Sequence, residues 1–141
     1  MSAESNRAVV QVIYDAFNQG DVDAAAAVVT DDFELVDLAA GQTMRGPAGF
    51  RQWLLGFRTF APDARVEVTA WAVDGDRVAT EHVGRGTHTG PMTGPSGEIP
   101  PTGRSFVLPV AEFMELRGGK LSRLRAYYDG ASLMRQLGLL G

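Results

Sequence analysis

The spacing of apolar residues changes period once along this chain, at Ala64, and that single change limits the fold more than any other feature. Before it, apolar positions recur every three to four residues, as one face of a helix requires; after it they alternate, as a half-buried strand requires. From Glu4 to Asn18, Val9, Val12, Ile13, Ala16 and Phe17 keep helical spacing, and Gly20 is placed to end the helix in a left-handed conformation. DVDAAAAVVTDDF offers Asp21 or Asp23 as an N-cap for a short second helix ending near Thr30, and Phe33 to Leu38 reads as extended. Pro47 suits a first helical turn, and Phe50, Trp53, Leu54 and Phe57 mark a third helix that stops before Ala61 and Pro62. Beyond Ala64 come VEVTAWAV, a DGD turn, RVATEHVGRGTH, RSFVLPVAEFMEL, a GG turn and KLSRLRAYYD. A last helix, from about Ala131, carries Leu133, Met134 and Leu137 before Gly138.

Helices first and a long meander afterwards predict an α+β domain over residues 1–141, with no linker dividing it. The expected architecture is a curved antiparallel sheet of four long strands wrapped around the N-terminal helices, a cone-shaped barrel with an internal pocket. Gly84, Gly86 and Pro109 fall inside strands, where such residues mark bends, bulges or edges. Between two of the strands lies GTHTGPMTGPSGEIPPTGR, from Gly86 to Arg104, too rich in Gly and Pro for a helix or central strand. Pro95, Pro100 and Pro101 stiffen it, and it reads as a mobile loop between two strands. It lacks GxGxxG spacing and leads into a strand, so it is not a phosphate cradle.

Composition narrows the functions. Seventeen acidic residues against thirteen basic ones give a formal charge of -4, the wrong sign for a nucleic-acid surface. The basic cluster Arg117, Lys120, Arg123 and Arg125 reads as a solvated face. There is no cysteine, which removes disulfides and thiolate chemistry, and the two histidines have no HxH or HExxH spacing, so no metal and no cofactor are expected. No apolar run approaches the about 18 residues of a membrane span and MSAESNRAVV does not read as a secretory leader, so a cytoplasmic location is expected.

GTHTG (Gly86–Gly90), IPPTGR (Ile99–Arg104), GGKL (Gly118–Leu121) and YYDGASLMRQLG (Tyr127–Gly138) together resemble the SnoaL-like polyketide cyclases of the nuclear transport factor 2-like superfamily. The resemblance covers most of the chain and is most specific after Gly86. It implies a hydrophobic, polyketide-like substrate, ring closure or isomerisation without a cofactor, and a homodimer formed through the open sheet face, where Val107, Phe113 and Tyr127 would otherwise be exposed. It places the Gly/Pro-rich segment at the rim of the pocket as a lid, and it implies an acidic residue near the end of the last strand. Here that position is Ala126, which cannot move a proton. A pocket protein that binds without catalysis is the alternative.

Another group would have to take the proton. Phe106, Leu108, Val110, Glu112 and Met114 share one strand face, which puts Glu112 among apolar neighbours, where desolvation favours a general acid or base unless an arginine such as Arg85 pairs with it. Tyr14 and His82 are its expected helpers. Glu81 and His82 are adjacent and point to opposite faces, so only one enters the pocket, and alternation alone does not say which. Phe17, Trp53, Phe57, Trp71, Leu108, Ala126 and Tyr128 are candidate walls, and Asp37 is a further pocket acid. Asp129, ahead of the last helix, reads as an N-cap, and His88 as a residue that shapes the rim.

Overall fold

The computed structural model describes residues 2–94 and 96–140, so Pro95 lies outside the described residues. Helix α1 (Ala3–Asn18) starts at Ser2, whose side chain accepts the Ser5 N–H, and the chain leaves it through Gly20 at φ 76°. Asp21 caps α2 (Val22–Ala26) by accepting the Ala24 N–H. This helix ends short of Thr30 because Val28 and Val29 are already paired with the sheet: the Val28 carbonyl accepts the Leu121 N–H and Val29 lies opposite Leu121. Strand β1 (Val29–Asp37) therefore starts earlier than Phe33. It turns into β2 (Gln42–Arg45), a short exposed strand with no apolar alternation to announce it. Pro47 then lies in the first turn of α3 (Gly46–Phe60).

The long strands are β3 (Arg65–Asp74), β4 (Arg77–Thr87), β7 (Ser105–Arg117) and β8 (Lys120–Tyr128). With β1 and β2 they form one curved six-stranded sheet in the order β2-β1-β8-β7-β4-β3. Two expectations are corrected here. The sheet is mixed and not purely antiparallel, because β1 runs parallel to β8, pairing Leu35 with Leu124 and Asp37 with Ala126. Nor does it close into a barrel, since β2 and β3 remain its two edges. Its concave face is covered by α1 and α3, and Phe33, Phe50, Leu35, Met114 and Val10 fill the space between.

The Gly/Pro-rich segment is not a featureless loop. It contains a small hairpin of β5 (Met92–Gly94) and β6 (Gly97–Ile99), whose Met92 is buried and whose Ile99 packs on the core. His88 ties its base together: its N–H bonds the Arg104 carbonyl, its carbonyl accepts the Gly103 N–H, and its ring Nδ1 accepts the Thr102 N–H. Thr89 and Gly90 both donate to the Phe60 carbonyl at the end of α3. His88 thus shapes the rim, as its place in GTHTG suggested.

Helix α4 (Gly130–Gln136) closes the chain, capped by Asp129, whose side chain accepts the Ser132 N–H. It serves β7, whose first residues extend past the end of β8: Gln136 accepts the Val107 N–H at 2.8 Å and donates to the Val107 carbonyl at 2.9 Å. Pro109 faces the same side as Val107, so its missing N–H removes no bond to β4.

Gly90 gives the fold a direct test. A Cβ at this position would collide with the Thr59 carbonyl oxygen, and backbone cannot yield as a flexible side chain can. Gly90→Ala is expected to cost about 1–3 kcal/mol, the usual range for an overpacked site, read as a lower midpoint in urea unfolding. An unchanged midpoint would show that the strap does not lie against α3 in this way.

Candidate active site

Beneath α1 and α3 the sheet lines a cavity of ≈ 100 Å³ that is partly open to the outside. Tyr14 and Phe17 of α1, Trp53 and Phe57 of α3, His82 of β4, Leu108 and Glu112 of β7, and Ala126 and Tyr128 of β8 all line it. Phe50, Phe60 and Phe106 join them in an almost wholly apolar wall. Three candidates stand elsewhere. Glu81 is exposed on the convex face, so His82 is the inward member of its pair. Trp71 packs behind the wall, edge-on to Tyr14 and under the guanidinium of Arg7, and does not border the cavity. Asp37 sits behind Trp53 and Tyr128 instead of at the surface of the cavity. None of the described residues of 90–103 borders the cavity, so they flank the site in this structure instead of covering it.

Glu112 is 5% exposed and tied to the helix above it. Tyr14 Oη donates to its Oε1 at 2.5 Å, and lies 2.7 Å from Thr80 Oγ1. Because a phenol has one proton and Tyr14 gives it to Glu112, the Thr80 hydroxyl is the donor to Tyr14. The chain Thr80 to Tyr14 to Glu112 thus runs one way. His82 Nδ1 is 3.6 Å from the same Glu112 oxygen, outside hydrogen-bond reach, and is buried without a partner. Arg85, the sequence-level alternative, is exposed on the other face and does not pair with Glu112. Thr80 was missed by sequence reasoning, although its position two residues before His82 puts it on the same face.

A second polar group lies across the cavity. Asp37 is 2% exposed; its Oδ1 accepts the Ala40 N–H at 2.9 Å, and its Oδ2 accepts Trp53 Nε1–H at 3.0 Å and Tyr128 Oη–H at 2.8 Å. Strand pairing links the two sites, because Asp37, Ala126, Glu112, Thr80 and Trp71 lie opposite one another across five neighbouring strands. Ala126 thus stands between two acids, one strand spacing of about 4.8 Å from each.

A profile of the SnoaL-like polyketide cyclases matches residues 7–137. The chain belongs to this family. It is 28% identical over 134 residues to the aklanonic acid methyl ester cyclase AcmA of Streptomyces galilaeus, covering 93% of this chain and 89% of that one. Among solved structures it resembles IdmH of Streptomyces antibioticus, a candidate polyketide cyclase, with TM-score 0.79, 26% identity and coverage of 94% and 98%. It also resembles AclR of Streptomyces galilaeus, a candidate hydroxylase, with TM-score 0.85, 21% identity and coverage of 99% and 100%, a likeness of fold. Asp129, within the matched range, is the N-cap of α4.

Burial, followed by the charge of Glu112 and the bond to it, raises the Tyr14 pKa well above that of a free phenol; burial and the Asp37 bond raise that of Tyr128. A group whose folded pKa lies above its unfolded one stabilises the fold below the unfolded value and stops doing so as pH rises past it. The loss should therefore begin near the ordinary tyrosine value of about 10. The chain has one lysine, the exposed Lys120, so few other groups titrate there. The unfolding free energy is expected to fall as pH rises through about 10, and Tyr14→Phe should flatten that fall relative to its own stability at neutral pH. A wild-type curve level through this range would contradict both raised values.

Proposed function

We propose that this protein closes a ring in, or isomerises, a hydrophobic polyketide-like molecule, with Glu112 as the acid/base. The observation that supports the reading is a buried carboxyl group held in the apolar wall of the cavity, where a family cyclase needs a proton acceptor and Ala126 supplies none. In this reading Glu112 takes a proton from carbon α to a carbonyl. The resulting enolate carbon attacks a second carbonyl of the same molecule, and Glu112 returns the proton to the alkoxide. One carboxyl group gives back what it takes, so the step needs no cofactor. Tyr14 orients the carboxyl, and His82, 3.6 Å away and unpartnered, would have to move closer to relay the proton. The aromatic wall of Phe17, Trp53 and Phe57 folds the substrate so that the two carbons meet, and such preorganisation can contribute several kcal/mol, up to about 7–11 in well-oriented models.

Ala126 also supports a second reading, a binding protein that retains the pocket and releases its ligand unchanged. Conversion of polyketide intermediates by the purified protein separates the two. In the catalytic reading, Glu112→Gln keeps the shape and lowers turnover by about 10²–10⁴ with little change in KM. Asp129→Asn, which keeps a good N-cap, should leave turnover near that of the wild type. Full activity in Glu112→Gln would remove Glu112 from the chemistry, and no conversion of any intermediate that binds would favour the binding protein.

The convex face supports pairing of two copies. No helix among the described residues covers it, and Val107 and Tyr127 are 45% and 44% exposed beside the half-buried Phe113 and Val83. A homodimer joined through this face would hide an apolar patch that is otherwise in water. Light scattering at micromolar concentration should give twice the chain mass, and Tyr127→Glu should halve it; a monomeric wild type would rule the pairing out.

A further inference from the structure

The hydrogens of the cavity wall are already spent. Thr80 gives its proton to Tyr14 and Tyr14 gives its own to Glu112. On the far side, Trp53 and Tyr128 both give theirs to Asp37 Oδ2, while the other oxygen of Asp37 is held by the Ala40 N–H. An indole has one N–H and no acceptor, and a phenol that donates keeps only lone pairs. Apart from His82 and Arg65, no polar side chain bordering the cavity has a hydrogen left to give: Tyr14, Glu112 and Tyr128 can only accept, and Trp53 can do neither.

Building on the reading of this cavity as a site for an apolar small molecule, we infer that Asp37 is a positioning residue that fixes Tyr128 as an acceptor, so that the pocket selects neutral substrates bearing a phenolic or enolic O–H at that end. Three features support this. Asp37 is too deeply buried to meet the ligand itself, and acts through the two aromatic residues it holds. The raised pKa of Tyr128 keeps the proton on its oxygen and directed at Asp37. A ligand that presented only a carbonyl or carboxylate oxygen to Tyr128 would set lone pair against lone pair in an almost wholly apolar site, leaving an acceptor unpaired. A ligand hydroxyl satisfies the phenol oxygen instead. Asp37 and Glu112 stand two strand spacings apart, about 10 Å, on either side of Ala126, so the acceptor end and the acid/base lie at different places along the wall.

Two naphthalenes that differ at one atom test this, 2-naphthol and its methyl ether, 2-methoxynaphthalene, titrated into the purified protein by calorimetry. The wild type is expected to bind the naphthol about tenfold more tightly than the ether, the upper end for one net hydrogen bond. Tyr128→Phe should bring the two within about twofold of each other, whereas Tyr127→Phe, on the convex face, should leave the gap intact. Asp37→Asn, which puts an amide donor where an acceptor stood, should also shrink the gap, and a gap unchanged in a folded Asp37→Asn would overturn the role of Asp37. Should that variant not fold, the Tyr128→Phe comparison still decides the acceptor role. Equal binding of both compounds by the wild type, a gap that survives Tyr128→Phe, or one abolished by Glu112→Gln alone would each overturn the inference while leaving the pocket in place. Binding of neither compound would overturn the inference and the reading of the cavity together.

Discussion

The hydrogen bond from Tyr14 to Glu112 joins the first helix to the middle of the sheet, and the pocket depends on it. A carboxyl group taken out of water with no partner costs several kcal/mol, so Glu112 could not sit in this wall alone. Tyr14 meets that need, and in doing so sets α1 at a fixed height over β7, leaving the cavity below. Thr80 completes the chain from β4, and His82 stands beside it without a bond of its own. A wall built purely for stability would hold leucine at 112. What this arrangement has instead is an ionisable group in an apolar, shaped space, held by a donor that cannot readily lose its proton.

The change of period at Ala64 made the helix-then-sheet order legible, and the inward face of β7 made Glu112 legible, because each is a local pattern repeated over many residues. What escaped was set by partners. Alternation identifies a strand but not its neighbour, so nothing local revealed that β1 would lie parallel to β8 or that the sheet would stay open. The β-branched run at Val28, Val29 and Thr30 favoured the sheet once Leu121 was available to pair with it, which shortened α2. Trp71 shows a different limit. Pairing slips between Val68 and Ala70, and that bulge turns Trp71 onto the helix side, where Arg7 and Tyr14 cover it before it can reach the cavity.

Ala126 illustrates how family likeness and residue chemistry divide the work. The likeness located the position where a carboxyl group is usual; only the pairing of strands showed that this position is flanked by Asp37 and Glu112, one on each side. A third carboxyl between them would add like charge in a space where none can be dispersed, so the small side chain is what lets the two outer acids be buried together.

Gln136 performs a quieter task. Its amide occupies both backbone groups of Val107 as a neighbouring strand would, a one-residue strand supplied by a helix. Exposed strand edges are where sheets recruit other chains, and here that stretch of edge is already taken. Two copies can therefore meet over this region face against face but cannot zip together there edge to edge, which leaves the fold free to carry a greasy convex surface without growing into a fibre along β7.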